Sequence, residues 1–186
     1  ATRQSGGVMV QAYQVAGELE KADSFTQINM YNEVLALVGW STEYIAIHSD
    51  NLAICEETIR RVDMVAKAYD LIHLNGNCIA LFWYQAAIMY CTQGRKEKAL
   101  TYMENFVEAI ENLLTEDVLI FHGDSYFTKL DQWIQEQELG GNPPRDKKVI
   151  RDSAIQAFDH PAFAVLAEEK AFIEMKEEII CKIKKV

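Results

Sequence analysis

Residues 78–92, CIALFWYQAAIMYCT, carry no charge, and only Gln85 and a few hydroxyl tips interrupt their apolar character. A helix without a polar face is a buried helix. The run is far too short to cross a bilayer. It is therefore expected to form the central helix of a folded domain, with other elements wrapped around it. Gln93-Gly94 ends the segment as a turn, and 96–114 forms a second helix paired with it. Upstream, Asn75-Gly76-Asn77 closes the preceding element, with Gly76 as a left-handed cap. The only prolines are Pro143, Pro144 and Pro161, so no ring breaks a helix before 143. Glu, Lys, Ala, Leu and Ile are abundant throughout, which favours an all-α class.

The remaining helices follow from apolar spacing. The pattern predicts a first helix over 8–21, with Val8, Ala12, Val15, Ala16 and Leu19 on one face. Asp23-Ser24 is a turn and cap, and 26–38 a second helix stopped by Gly39. Ser41 and Thr42 then cap the next element. The span 43–74 is either one long helix or two, broken near Ser49-Asp50. His122-Gly123-Asp124 is a loop, and Asp124 or Ser125 caps a helix to about Leu139. Residues 147–158 are helical, and Pro161 opens the closing helices at their first position. The domain organisation is a flexible end at 1–7, a helical region at 8–139, a Gly/Pro linker at 140–146 and capping helices at 147–186.

Net charge is −10. Binding to nucleic-acid phosphates needs a basic footprint, which this chain lacks. Arg95, Lys96 and Lys98 adjoin the acidic run 104–111, and Lys182, Lys184 and Lys185 adjoin 174–178. A cationic peptide or protein is the easier partner. Cys55, Cys78, Cys91 and Cys181 form no CxxC pair, which points to a reducing, cytoplasmic setting. No segment reads as a signal peptide or membrane span.

Trp83, Tyr90, Gly94 and Ala99 stand at the offsets of the 34-residue tetratricopeptide repeat, with Ala87 in place of its small Gly, Phe106 where a second Ala is usual, and no closing Pro. The tail is similar to the end segment of many bacterial tetratricopeptide-type proteins, with Pro161, Phe163, Leu166 and Phe172 in the capping places. The resemblance covers about half of the chain. It implies antiparallel helix pairs stacked in a right-handed superhelix with C-terminal capping helices. It also implies the effector half of bacterial helix-turn-helix transcriptional regulators, which binds a peptide or protein. Residues 1–40 contain no basic recognition helix. The first helix of each pair lines the groove in that family, so the ligand positions it implies here are Leu81, Tyr84, Gln85, Ile88, Cys91 and Thr92. The plainer reading of that face is burial under another helix.

Other chemistry is sparse. Asp70 and His73 share a helix face, but a di-iron bundle needs two acid-x-x-His pairs and two more acids. Cys91 has no base in sequence proximity to activate it. His122, Asp124 and Ser125 have triad side chains, yet triads are assembled from distant positions. The stripe Glu104, Glu108, Glu111 could receive a basic partner, although such stripes are usually solvated. No Walker, HExxH or GxGxxG motif occurs. The expectation is a non-enzymatic module without metal or cofactor that binds a peptide, protein or small signalling ligand. It would not bind nucleic acid or membrane, and a homodimer is open to it. The rival is a helical-bundle metal-binding protein or enzyme.

Overall fold

A computed structural model describes residues 3–115, 121–138 and 147–183. The elements are α1 (Arg3–Val15), α2 (Leu19–Ile47), α3 (Leu52–Ala68), α4 (Leu71–Leu74), α5 (Gly76–Thr92), α6 (Lys96–Thr115), α7 (Leu130–Gln135), α8 (Lys147–Ala157), a 3-10 helix (Pro161–Leu166) and α9 (Lys170–Ile183). The protein is all-helical, with no strand among the described residues. None of its described helices is long and apolar enough to cross a membrane. The linker 140–146 and Leu139 lie outside the described residues.

The chain gathers into two compact units. One comprises Ala1–Leu37 and Ile120–Pro143, the other Val38–Leu119 and Pro144–Val186. In the first, α1 takes up residues 3–7, which were expected to be a flexible end. It stops at Val15 rather than near 21. Gly17 takes φ +75°, its N–H donates to Gln14 and that of Glu18 to Tyr13, which together close a Schellman turn. The stripe Val8, Val15, Leu19 read as a core face is exposed. The core of this unit is instead built on Ala22, Tyr31, Phe127, Leu130 and Ile134. Tyr31 stands edge-on to Phe127 and Trp133, each at 6.2 Å.

Asp23-Ser24 and Gly39 were expected to interrupt the chain, but α2 runs through both for 29 residues. Gly in a helix costs only about 1 kcal/mol relative to Ala, too little to outweigh good packing on either side. Thr42 does not cap. Its hydroxyl donates to the Val38 carbonyl 3.0 Å away, and Thr26 does the same to Ala22. The predicted helix at 124 starts only at Leu130 and ends at Gln135.

In the second unit the span 43–74 does break near Ser49-Asp50. Asn51 caps α3 by accepting from the Ile54 N–H, and α3 buries Cys55, Ile59, Val62 and Ala66. Gly76 is not the left-handed cap. Asp70 holds that conformation, at φ 45°, while Gly76 is the first residue of α5. A Cβ on Gly76 would stand 3.2 Å from Leu113 Cγ, so its smallness allows close approach to the end of α6. Tyr84 meets Phe106 at 5.3 Å, and Tyr90 stacks on Tyr102 at 5.4 Å. These pairs step in opposite directions along the two helices, so α5 and α6 are antiparallel. Gly94, at φ +66°, makes the turn between them with a second Schellman pair to Cys91 and Tyr90. Ala86, Ala87 and Ala99 are fully buried, as small contact residues should be.

Candidate functional site

The six positions expected to line a groove on α5 do not share one environment. Asn75 starts the helix by accepting from the Cys78 N–H at 3.1 Å. From that start Leu81 and Thr92 come to lie exposed, Tyr84, Gln85 and Ile88 half-buried, and Cys91 buried. The Thr92 hydroxyl is spent on the Ile88 carbonyl of its own helix. Tyr84 is walled in. Its hydroxyl donates to the Ala157 carbonyl at 3.1 Å, and its ring lies 5.7 Å from Phe163 and 6.2 Å from His160. Burial pushes its pKa up. The hydroxyl and two of the ring contacts of Tyr84 are therefore met by the end of α8 and the segment after it.

That span engages another side of α5 and α6. Asp63 on α3 accepts from the Trp83 indole at 3.0 Å and from the Tyr102 hydroxyl at 2.6 Å. Burial, reinforced by Asp63, holds the Tyr102 phenol far above its usual range. Burial pushes Tyr90, stacked on it, up to about 12. Lys98 sits over the Tyr90 ring at 5.4 Å and pairs with Glu56. This network joins residues up to 42 positions apart and left no local signal in the sequence.

Beyond Tyr84, the covering segment and α9 enclose an open cleft of about 420 Å³. Local chemistry builds it. Pro161 cannot donate and opens the 3-10 helix, while His160 in extended conformation caps it. His160 Nδ1 accepts from the Ala162 N–H at 3.2 Å, so in the neutral ring the proton is on Nε2. Phe163 and Phe172 stand 5.6 Å apart, and Phe158 lies 5.2 Å from Phe172. All three are buried and make the floor. Ile173, Ile180, Glu177 and the Asp159–Lys176 ion pair, 2.5 Å long, line the rim. An aromatic floor with a few polar groups at its edge suits a ligand with an apolar body and one polar end. Phe163, Leu166 and Phe172, expected as capping residues, are all buried here. The cleft itself was missed, although the aromatic spacing around His160-Pro161 was its one available signal.

The remaining candidates do not assemble. Asp70 Oδ1 and His73 Nδ1 are 2.8 Å apart, but both side chains are about two-thirds exposed. Among the described residues no three His, Cys, Asp or Glu side chains group as metal ligands. His122 Nδ1 lies 2.7 Å from the Gly123 carbonyl. Asp124 Oδ1 is occupied by the N–H groups of Tyr126 and Phe127, so it shapes a loop. Burial pushes Cys78 and Cys91 each up to about 11, which keeps them as thiols at neutral pH. Glu104 and Glu108 are exposed, and Glu111 is half-buried. No protein-family model, curated protein or solved structure matches this chain.

Proposed function

We propose that this chain is a non-enzymatic helical interaction module of the tetratricopeptide kind, which takes up a peptide, protein or small signalling ligand in the cytoplasm. The single observation that carries the reading is the α5–α6 hairpin. Its Gly94 turn, buried alanines and antiparallel aromatic pairs have the construction of such a repeat. A right-handed superhelical stack and a place in bacterial transcription control belong to the same proposal and rest on the sequence resemblance. Burial, which raises the Cys78 and Cys91 thiols, speaks against those two as nucleophiles. With a net charge of −10 the module acts on DNA only through other protein, and a salt-sensitive gel shift by the purified chain would contradict that.

The ligand contact is assigned to the cleft above Tyr84, with Phe163 and Phe172 as its floor and Ile173 at its rim. A random peptide-display library panned over the folded chain tests this. Selected peptides should lose affinity on the order of tenfold or more against Ile173→Glu. The same peptides should bind Leu81→Glu unchanged. Peptides that discriminate neither variant, or no selectable peptide, would remove the assignment.

A further inference from the structure

The second half of α2 carries two apolar faces. Residues 34–47 read VLALVGWSTEYIAI, with Glu43 as their only charge, in a chain that is 25% charged. Val38 and Ile45 point inward and are fully buried. Trp40, Tyr44 and Ile47 are 75%, 45% and 72% exposed, and Leu37, three residues before Trp40 on the same helix, is 49% exposed. The intervals of three, four and three are those of alternating a and d positions in a heptad. Gly39, Glu43 and Ala46 beside them are also exposed. Depletion of charge together with exposed aromatics is the composition of an interface core.

We propose that this face of α2 pairs with the same face of a second copy of the chain, the two helices lying side by side in parallel. Size and charge both favour that occupant. The four side chains present roughly 500 Å² at the areas usual for such residues. Two copies therefore bury about 1,000 Å², the lower bound for a specific interface, before the flanking residues are counted. Glu43 and His48 flank the seam five residues apart. In a parallel pair that is the separation of a g position and the e position it meets on the partner, so each Glu43 carboxylate receives an imidazole N–H. An antiparallel pair centred on Tyr44 would set Glu43 against Glu43. His48 already stacks edge-on against Tyr44 at 4.5 Å, which holds the imidazole beside the seam. The tight α5–α6 packing has no part in this surface, so the inference stands apart from the ligand cleft.

Sedimentation equilibrium of the whole chain across micromolar to submillimolar concentration is the test. The native chain should approach twice the monomer mass. Trp40→Glu and Ile47→Glu should each weaken self-association on the order of tenfold or more, with unchanged helical circular dichroism. Leu81→Glu, at an exposed apolar residue elsewhere, should not. A native chain that stays monomeric, or a dimer that survives both substitutions, overturns the proposal. Trp40→Cys in a Cys181→Ser background should cross-link to itself under mild oxidation, and a dimer that fails to do so overturns the parallel arrangement.

Discussion

Replacing Tyr84 measures how firmly the C-terminal segment closes over α5. Tyr84→Phe removes one hydroxyl that donates to the Ala157 carbonyl and leaves the ring in place. A neutral hydrogen bond of this kind contributes about 1 kcal/mol. Tyr84→Ala also removes the ring from its contacts with Phe106, Phe163 and His160. Deleting a fully buried aromatic costs about 3–5 kcal/mol. Tyr84 is half-buried, so the expected loss is about 2–3 kcal/mol with the hydroxyl included. Urea denaturation followed by helical circular dichroism supplies the values, with an unchanged slope as the check that only stability moved. Thr92→Ala is the internal reference. It lies on the same helix, is exposed and donates its hydroxyl to its own Ile88 carbonyl, so its effect should stay within about 0.5 kcal/mol. A double-mutant cycle with Phe163→Leu should return a coupling of about 0.5–1.5 kcal/mol for the ring pair. A Tyr84→Ala loss no larger than that of Thr92→Ala, with no coupling to Phe163, would refute closure.

Three further outcomes are expected in the same unit. Ala99→Leu forces three extra carbons into a site with no exposed surface, and overpacking should cost about 1–3 kcal/mol. An unaltered melting temperature would show that α5 and α6 are not in close contact there. Asp63→Ala strands the Trp83 indole and the Tyr102 hydroxyl and should cost about 2–3 kcal/mol, with Asp63→Asn costing less because one acceptor oxygen stays. Equal losses for both variants would contradict the shared-acceptor geometry. Tyr84, Tyr90 and Tyr102 all have raised pKa values, so the folded state retains phenol protons that the unfolded chain releases. Stability from these groups is whole below pH 10, the ordinary tyrosine value, and falls as pH rises toward about 12 for Tyr90. Urea midpoints measured against pH should show that decline, and Tyr102→Phe should make it shallower.

The sequence by itself determined the helical class, the central place of α5 and the turn at Gly94. Those features rest on large, additive signals: a run without charge, many strong helix formers, and a glycine between two amphipathic patterns. The start at Pro161 was legible because a proline ring acts within one turn of itself, whereas 43–74 stayed open between one helix and two until Asn51, capping α3, fixed the break. Tertiary structure decided the features whose local energies are near 1 kcal/mol. Gly39 could stop α2 or be carried through it, and packing of Val38 and Ile45 on its inner side carried it through. Gly76 could serve as a left-handed cap or as a close-packing residue, and the approach of Leu113 made it the second. The surroundings of Tyr84 were likewise undecided, because its cover comes from Ala157 and Phe163, more than seventy residues away in the chain. Asp63 found Trp83 and Tyr102 across three helices, and of the two apolar faces of α2 the fold buried the one with Val38 and Ile45 and left the one with Trp40 and Ile47 exposed. Periodicity places residues on a common face, but only the fold determines which faces are covered.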